Sequence, residues 1–106
     1  MSSTDKSSRG SPYAQELIAH LEPYCTVRRT GRGERLNLEV NGQGICYLIL
    51  EGTIALYRSS DNMMLSTARS PALFGLANLT DIYFNDYLIT VSPCLIGSIP
   101  TEQVAD

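Results

Sequence analysis

The sequence is poor in the residues from which metal and hydrolytic sites are built. Its 106 residues contain one histidine, His20, and no tryptophan. Metal sites on small β-barrels use several histidines with a carboxylate, and serine or cysteine nucleophiles need a histidine base. Because one histidine outside the predicted strands supports neither arrangement, we predict that the chain is not an enzyme, binds no metal and needs no cofactor.

Paired cysteines and long apolar runs are missing as well. The three cysteines, Cys25, Cys46 and Cys94, are widely spaced and form no CxxC pair, which excludes zinc and thioredoxin-type motifs. An odd number of separated thiols is typical of a reduced cytosolic protein. The N-terminus has no apolar segment of a secretory signal, and no run approaches the roughly 18–20 apolar residues of a membrane span. We therefore predict a soluble cytoplasmic protein.

Positive charge is in deficit, with 8 lysines and arginines against 11 aspartates and glutamates and a net charge of −3. Domains that bind nucleic-acid phosphates are usually basic, so we expect no DNA binding by these residues alone. The one basic cluster consists of Arg28, Arg29, Arg32 and Arg35. We interpret it as a solvated hairpin tip, partly balanced by Glu34, in preference to a contact with DNA or an acidic partner.

A short helix is predicted after a polar tail. Residues 1–11 hold five serines and no large apolar residue after Met1, which is typical of a disordered segment. Pro12 is suited to the first position of a helix, and apolar residues then recur every four positions. Pro23 ends this helix of about ten residues. We predict a single domain over 12–106.

The rest of the chain is predicted to form short strands. Segment 34–40 alternates, with Leu36, Leu38 and Val40 on one face, and segment 45–50 is apolar throughout, as a strand buried on both faces would be. Strands at this spacing favour an all-β barrel or jelly roll. The predicted strands are 24–29, 34–40, 45–50, 53–58, 63–69, 87–91 and 94–99.

The last residues favour the opening of a second helix. Pro100 stands at its start, Glu102 lies in the first turn, and Ile99 is placed to pack against it. The printed sequence stops soon afterwards. We interpret this pattern as the start of a helix that continues into further protein downstream.

One run carries a family resemblance. Residues 47–58, YLILEGTIALYR, resemble the signature hairpin of cyclic-nucleotide-binding-like domains, in which a Glu-Gly or Lys-Gly turn joins two apolar strands. Residues 71–76, PALFGL, stand where this family places its phosphate-binding cassette. Over residues 20–105 the sequence resembles the effector domain of the Crp/Fnr superfamily of bacterial transcription regulators. It is similar in particular to the enterobacterial group of inhibitors of hydrogen peroxide resistance.

The resemblance implies both a fold and a role. The fold would be mainly β, a cyclic-nucleotide-binding-like double-stranded β-helix (jelly roll) with a short N-terminal helix and the start of a C-terminal helix. The role would be regulatory and linked to oxidative stress. A downstream winged helix domain would bind DNA, and the full-length protein would be a homodimer, whereas these residues alone would be weakly dimeric or monomeric. A ligand-free interaction or dimerisation module and a cupin-type small-molecule-binding protein remain alternatives.

The cassette departs from that of cyclic-AMP-binding members of the family. Those members carry Phe-Gly-Glu and, about ten residues later, an arginine that pairs with the cyclic phosphate. Here Leu76 follows Gly75, and the arginine position falls on Phe84. The charged residues between positions 75 and 93 are Asp81 and Asp86, both negative. We therefore predict that the chain does not bind cyclic AMP.

The degenerate cassette is the candidate ligand site. It leaves two possibilities open: a collapsed pocket filled by apolar side chains, or a pocket adapted to a neutral apolar ligand. Its residues are Phe74, Gly75, Leu76, Ala77, Asn78, Phe84 and Asn85.

The cysteines suggest a redox role, which we weigh against simple packing. Cys46 and Cys94 lie within apolar segments, where cysteine behaves as a small buried hydrophobe. Arg28 and Arg29 follow Cys25 closely, so a lowered thiol pKa is conceivable there. Strand alternation, however, places Cys25 on the opposite face of the strand from Arg28. We therefore favour the interpretation that the thiols are inert. We interpret His20, near the end of the predicted helix, as a residue that interacts favourably with the helix dipole.

Overall fold

A computed structural model describes residues 12–75 and 86–105. The tail at residues 1–11 and the cassette residues Leu76, Ala77, Asn78, Phe84 and Asn85 lie outside these ranges. The described elements are helix α1 (Pro12–Leu21), a 3₁₀ helix (Glu22–Tyr24), strands β1 (Thr26–Thr30), β2 (Arg35–Asn37), β3 (Glu39–Val40), β4 (Gln43–Glu51), β5 (Thr53–Arg58), β6 (Met63–Arg69), β7 (Ala72–Phe74), β8 (Tyr87–Thr90) and β9 (Cys94–Pro100), and helix α2 (Thr101–Ala105).

The strands form two antiparallel sheets. Sheet A has the order β1-β9-β4-β3, and β7 also pairs with β4. Sheet B has the order β2-β8-β5-β6. Neighbours within each sheet are mostly far apart in sequence, as in a jelly roll. The predicted mainly-β fold with two small helices is confirmed.

The two faces of strand β4 belong to different hydrophobic cores. Tyr47 and Ile49 face the space between the sheets, whereas Cys46 and Leu48 face the helices. All four side chains are buried. The prediction of a strand buried on both faces is therefore confirmed, and the physical reason is that sheet A is covered on both sides.

Two hydrophobic cores result. The inner core lies between the sheets and consists of Leu36, Leu38, Tyr47, Ile49, Ile54, Leu88, Cys94 and Ile96. The outer core lies between sheet A and the helices and consists of Ile18, Leu21, Cys46, Leu48 and Ile99, with Val104 partly buried against it. Helix α1 begins at Pro12 and ends before Pro23 as predicted, and its apolar face covers sheet A. None of the described helices is long and apolar enough to cross a membrane.

The segment predicted as one strand over 34–40 is two strands in different sheets. Leu36 lies opposite Leu88 in sheet B, whereas Glu39 lies opposite Gly44 in sheet A. Leu36 and Leu38 are buried as predicted, but Val40 is 44% exposed because it enters the turn at residues 41–42 at the margin of sheet A. Both residues of that turn have positive φ, 55° and 79°, as a two-residue hairpin requires.

The Glu51-Gly52 turn does not close a hairpin, which corrects the expectation from the family resemblance. β4 belongs to sheet A and β5 to sheet B, so the chain turns a corner between the sheets. Gly52 has a φ of +105°, and a Cβ added there would lie 2.6 Å from Cys94 Sγ and 2.6 Å from the Pro93 carbonyl oxygen. The corner therefore requires glycine for both its conformation and its space.

Two predicted boundaries shift by a few residues. β1 begins at Thr26, because Tyr24 belongs to the 3₁₀ helix and is 70% exposed. Ile99 lies in β9, and the second helix begins only at Thr101. β1 is an edge strand, so Val27 is 43% exposed and the strand has no buried apolar face of its own.

Candidate ligand site

The described part of the cassette is strand β7 and the glycine directly after it. β7 pairs with β4, with Phe74 opposite Tyr47, and Phe74 packs against the inner core. Gly75 has a φ of +108°, and an added Cβ would lie 2.5 Å from the Ile45 carbonyl oxygen. Two of the seven candidate residues, Phe74 and Gly75, are thus held against β4 at the rim of the inner core.

The space between the sheets, to which β7 leads, is lined with apolar side chains. Leu88, Ile54 and Ile49 are fully buried there. Tyr47 contributes a polar group to this core, and its hydroxyl donates a hydrogen bond of 2.7 Å to the Asn37 carbonyl oxygen. Burial raises the pKa of Tyr47, and the nearby charge of Arg28 opposes that shift. This hydroxyl is therefore neutral and already has a partner.

Charged side chains in the described ranges lie at the surface. The buried polar side chains there are those of three threonines: Thr30, Thr90 and Thr101. The surface ion pairs join Arg28 to Glu34 at 2.6 Å, Arg29 to Glu51 at 3.4 Å and Arg58 to Asp61 at 3.0 Å. The predicted balance of the basic cluster by Glu34 is present as the first of these pairs. The described part of the inner core thus offers no cation to an anionic ligand.

Arg35 does not belong with the other arginines of the predicted basic cluster. It lies on β2 in sheet B, and its guanidinium carbon is 3.8 Å from the centroid of the Tyr87 ring. Tyr57 stacks on Tyr87, with centroids 5.4 Å apart and planes inclined by 5°. We call Arg35, Tyr87 and Tyr57 the aromatic ladder. Sequence reasoning missed it, because the ladder depends on which strands are neighbours in the sheet.

The thiols lack the environment of a reactive cysteine. Cys46 and Cys94 are buried as predicted. Burial, with a smaller contribution from Cys25, raises the pKa of Cys46 to about 12. Burial, and next the charge of Glu22, also raises the pKa of Cys25, so the lowered pKa considered for that thiol is wrong in direction.

The two helices frame a groove that the sequence did not predict. It has a volume of about 360 Å³ and lies over the outer core, with Leu17, His20 and Tyr24 on one side and Val104 on the other. The His20 side chain is exposed, and its ring centroid lies 6.4 Å from that of Tyr24. In the described ranges, no group of three or more histidine, cysteine or acidic side chains is arranged to hold a metal.

Three features define the class of fold. Two antiparallel sheets are joined at a glycine corner, helices cover one outer face, and a Phe-Gly segment lies at the rim of the inner core. The chain has the fold of the cyclic-nucleotide-binding jelly-roll domains. No family model and no curated protein matches the sequence.

Several solved structures match the fold of this chain. The N-terminal domain of a transcriptional regulator from Streptomyces coelicolor matches with a TM-score of 0.64 and 21% identity, covering 85% of this chain and 65% of that chain. The c-di-GMP responsive global regulator CLP of Xanthomonas campestris matches with a TM-score of 0.69 and 17% identity, covering 86% of this chain and 46% of that chain. The cAMP-bound PfPKA-R matches with a TM-score of 0.64 and 15% identity, covering 87% of this chain and 35% of that chain. The chain therefore spans between 35% and 65% of the length of these three proteins.

Proposed function

We propose that this chain is the regulatory domain of a Crp-like bacterial transcription regulator that does not respond to cyclic AMP. The observation that carries the proposal is a jelly-roll fold of the cyclic-nucleotide-binding class whose cassette lacks a cation. Leu76 and Phe84 occupy the positions of the acidic residue and the arginine that the family uses for ribose and phosphate. The described part of the inner core supplies no charged side chain in their place.

The energetic consequence of these replacements is large. Hydrogen bonds to a charged group contribute about 1.5–3 kcal/mol each, and the arginine and the glutamate together make several of them. Since about 1.4 kcal/mol corresponds to a tenfold change, their loss lowers the affinity for a cyclic nucleotide by several decades. The charged residues between positions 75 and 93 are two aspartates, Asp81 and Asp86, so this stretch of sequence offers an anion no cation.

The remaining parts of the proposal concern the whole protein. Its support is the fold shared with the N-terminal domain of one transcriptional regulator and with a global regulator, each of them longer than this chain. We expect a DNA-binding winged helix domain downstream of residue 106, a homodimer in the full-length protein and a place in the cytoplasm. The similarity of the YLILEG and LFGLANL runs to the enterobacterial group supports a link with the oxidative-stress response.

Calorimetric titration of the 106-residue chain tests the ligand part of the proposal. We expect no binding of cyclic AMP tighter than about 1 mM, the level of −4.1 kcal/mol. A cyclic-AMP-binding domain of the same fold, titrated in the same way, shows that the assay detects binding. A micromolar dissociation constant for cyclic AMP would contradict the proposal.

A ligand-free interaction module is the second candidate, and the apolar side chains of the described part of the inner core favour it. Fully buried Leu88, Ile54 and Ile49 occupy the space between the sheets. The two candidates differ in the sequence expected downstream of the domain in the natural gene. A reading frame that encodes a long helix and a winged helix domain supports the regulator, and a frame without them supports the module.

A further inference from the structure

The turn between β3 and β4 consists of two exposed residues, Asn41 and Gly42. Both have positive φ, 55° and 79°, as is typical of an Asn-Gly pair in a two-residue hairpin. The pair is also chemically labile, because the side-chain amide of the asparagine lies within reach of the backbone nitrogen of the glycine. Of the five asparagines in the sequence, Asn41 is the one that glycine follows.

The two groups that would react have no hydrogen-bond partner in the described part of the chain. There, no hydrogen bond holds the Asn41 side chain, and the Gly42 N–H donates to no acceptor. A Cβ added at Gly42 would meet no atom within 4 Å, and glycine has no Cβ to restrict its backbone angles. The carboxamide carbon of Asn41 and the nitrogen of Gly42 can therefore approach each other without breaking a hydrogen bond of either group.

Asn62 offers a comparison within the same chain, because it lies in a turn with nearly the same φ, 58°. Its Oδ1 accepts a hydrogen bond of 2.7 Å from the Tyr87 hydroxyl. The N–H of the next residue, Met63, donates a hydrogen bond of 3.2 Å to Asp61 Oδ1. Both of the corresponding groups are thus restrained at Asn62, whereas they are free at Asn41.

We propose that Asn41 is a site of spontaneous deamidation in the folded protein. The Gly42 nitrogen forms a bond to Cγ of Asn41, the bond from Cγ to Nδ2 breaks, and ammonia leaves with the proton of the Gly42 amide. The product is a five-membered succinimide ring. Water opens this ring by breaking one of its two bonds from carbonyl carbon to nitrogen. Addition at Cγ gives aspartate, and addition at the backbone carbonyl carbon gives isoaspartate, in which the main chain runs through the former side chain.

The isoaspartate product changes the shape of the hairpin. It adds one atom to the main chain within a turn that joins the paired residues Val40 and Gln43. Since β3 has only two residues, we expect it to separate from β4. Either product also adds a carboxylate, which changes the net charge from −3 to −4. This modification is a separate claim from the proposed regulatory function, which does not depend on it.

Incubation of the 106-residue chain at mildly alkaline pH, followed by mass spectrometry of its peptides, tests the proposal. We expect deamidation at Asn41 to be at least tenfold faster than at Asn62. The chain unfolded in urea gives the reactivity of the Asn-Gly pair without the fold, and the folded chain is expected to react within tenfold of that rate. A folded chain that reacts more slowly than this overturns the proposal, because the native turn then protects Asn41.

Met63→Gly separates the effect of the Asn-Gly pair from that of its surroundings. This variant gives Asn62 a glycine neighbour, while Tyr87 and Asp61 remain to hold the two groups that would react. We expect deamidation at Asn62 in this variant to be at least tenfold slower than at Asn41 in the same chain. Equal rates at the two positions would overturn the role given to the free groups of Asn41.

Asn41→Asp is the matched control for the effect on the hairpin, because it adds the charge without the extra main-chain atom. Amide hydrogen exchange in residues 39–44 is expected to be faster in the purified isoaspartate product than in Asn41→Asp, which should stay close to the parent chain. Equal protection in the two proteins would contradict the separation of β3 from β4.

Discussion

Gly52 is the residue on which the corner between the two sheets depends. Its φ of +105° belongs to the region that residues with a side chain rarely adopt. The thiol of Cys94 and the carbonyl of Pro93 occupy the space of a Cβ. Conformation and packing therefore require the same residue type at this position.

Replacing Gly52 tests this requirement. We expect Gly52→Ala to lower the free energy of unfolding by about 3 kcal/mol, because backbone strain and overpacking contribute about 1–3 kcal/mol each. Urea denaturation measures the change. The control is Gly31→Ala, since no atom lies within 4 Å of a Cβ added there. Equal effects of the two substitutions would show that the close contacts of Gly52 do not matter.

The buried thiol of Cys46 makes stability depend on alkaline pH. Its pKa is raised from 9.0 to about 12 in the folded protein, so the folded state holds the proton where the unfolded state has lost it. The stabilisation is complete below pH 9 and is lost as the pH rises towards 12. The expected slope in this window is a loss of about 1 kcal/mol per pH unit.

Cys46→Ala isolates that contribution. This variant is expected to be less stable at every pH because it leaves a small cavity, but the difference from the parent chain should shrink between about pH 9 and pH 11. Urea unfolding at a series of pH values measures both curves. Parallel curves over this range would contradict a raised pKa at Cys46.

At the scale of elements, the aromatic ladder joins three strands of sheet B. Arg35 on β2, Tyr87 on β8 and Tyr57 on β5 lie in contact, so side chains reinforce the backbone pairing across the sheet. The Tyr87 hydroxyl also donates a hydrogen bond of 2.7 Å to the Asn62 side chain. Asn62 ends the turn between β5 and β6 with a φ of 58°, so this bond fixes the turn against β8.

Removal of that single hydroxyl is expected to weaken the turn. Tyr87→Phe keeps the stacked ring and is expected to cost about 1 kcal/mol of unfolding free energy, the usual contribution of one hydrogen bond. Amide hydrogen exchange should also become faster in residues 59–62. Tyr24→Phe is the matched control, because Tyr24 is 70% exposed and its change should stay below about 0.5 kcal/mol. A turn whose exchange rates are unaffected in Tyr87→Phe would contradict this role.

At the scale of the whole molecule, sheet A separates two cores that share no side chain. Ile18 belongs to the outer core and Ile54 to the inner core. Ile49 and Ile96 lie opposite each other across β4 and β9, and both belong to the inner core. The two cores should therefore respond independently to small changes, whereas partners within one core should not.

A double-mutant cycle measures this independence. Each Ile→Val substitution is expected to cost about 0.5–1.5 kcal/mol. We expect Ile18→Val and Ile54→Val to add within about 0.5 kcal/mol, and Ile49→Val with Ile96→Val to deviate from additivity by more than that. Denaturant unfolding gives the four free energies of each cycle. Strong coupling between positions 18 and 54 would mean that the cores are not separated by the sheet.

Local sequence patterns predicted the helices and strands, but they did not predict which strands pair with one another. Proline positions, a two-residue turn and apolar runs predicted helix α1, the turn at residues 41–42 and the limits of β6, because these features depend on neighbours in sequence. The corner at Gly52 and the split between β2 and β3 depend on which sheet each strand joins. The same holds for Arg35, which was grouped with Arg28 and Arg29 although these two lie on β1 in the other sheet.

The sequence by itself determined a mainly β chain of jelly-roll class and a strand at 45–50 that is buried on both faces. It also predicted a cassette without a cation at the position of the family's arginine. These features depend on residue types and their periodicity along the chain. The tertiary structure decided the division into two cores and the aromatic ladder. Such features arise from contacts between strands that are distant in sequence, and no local pattern encodes which strands become neighbours.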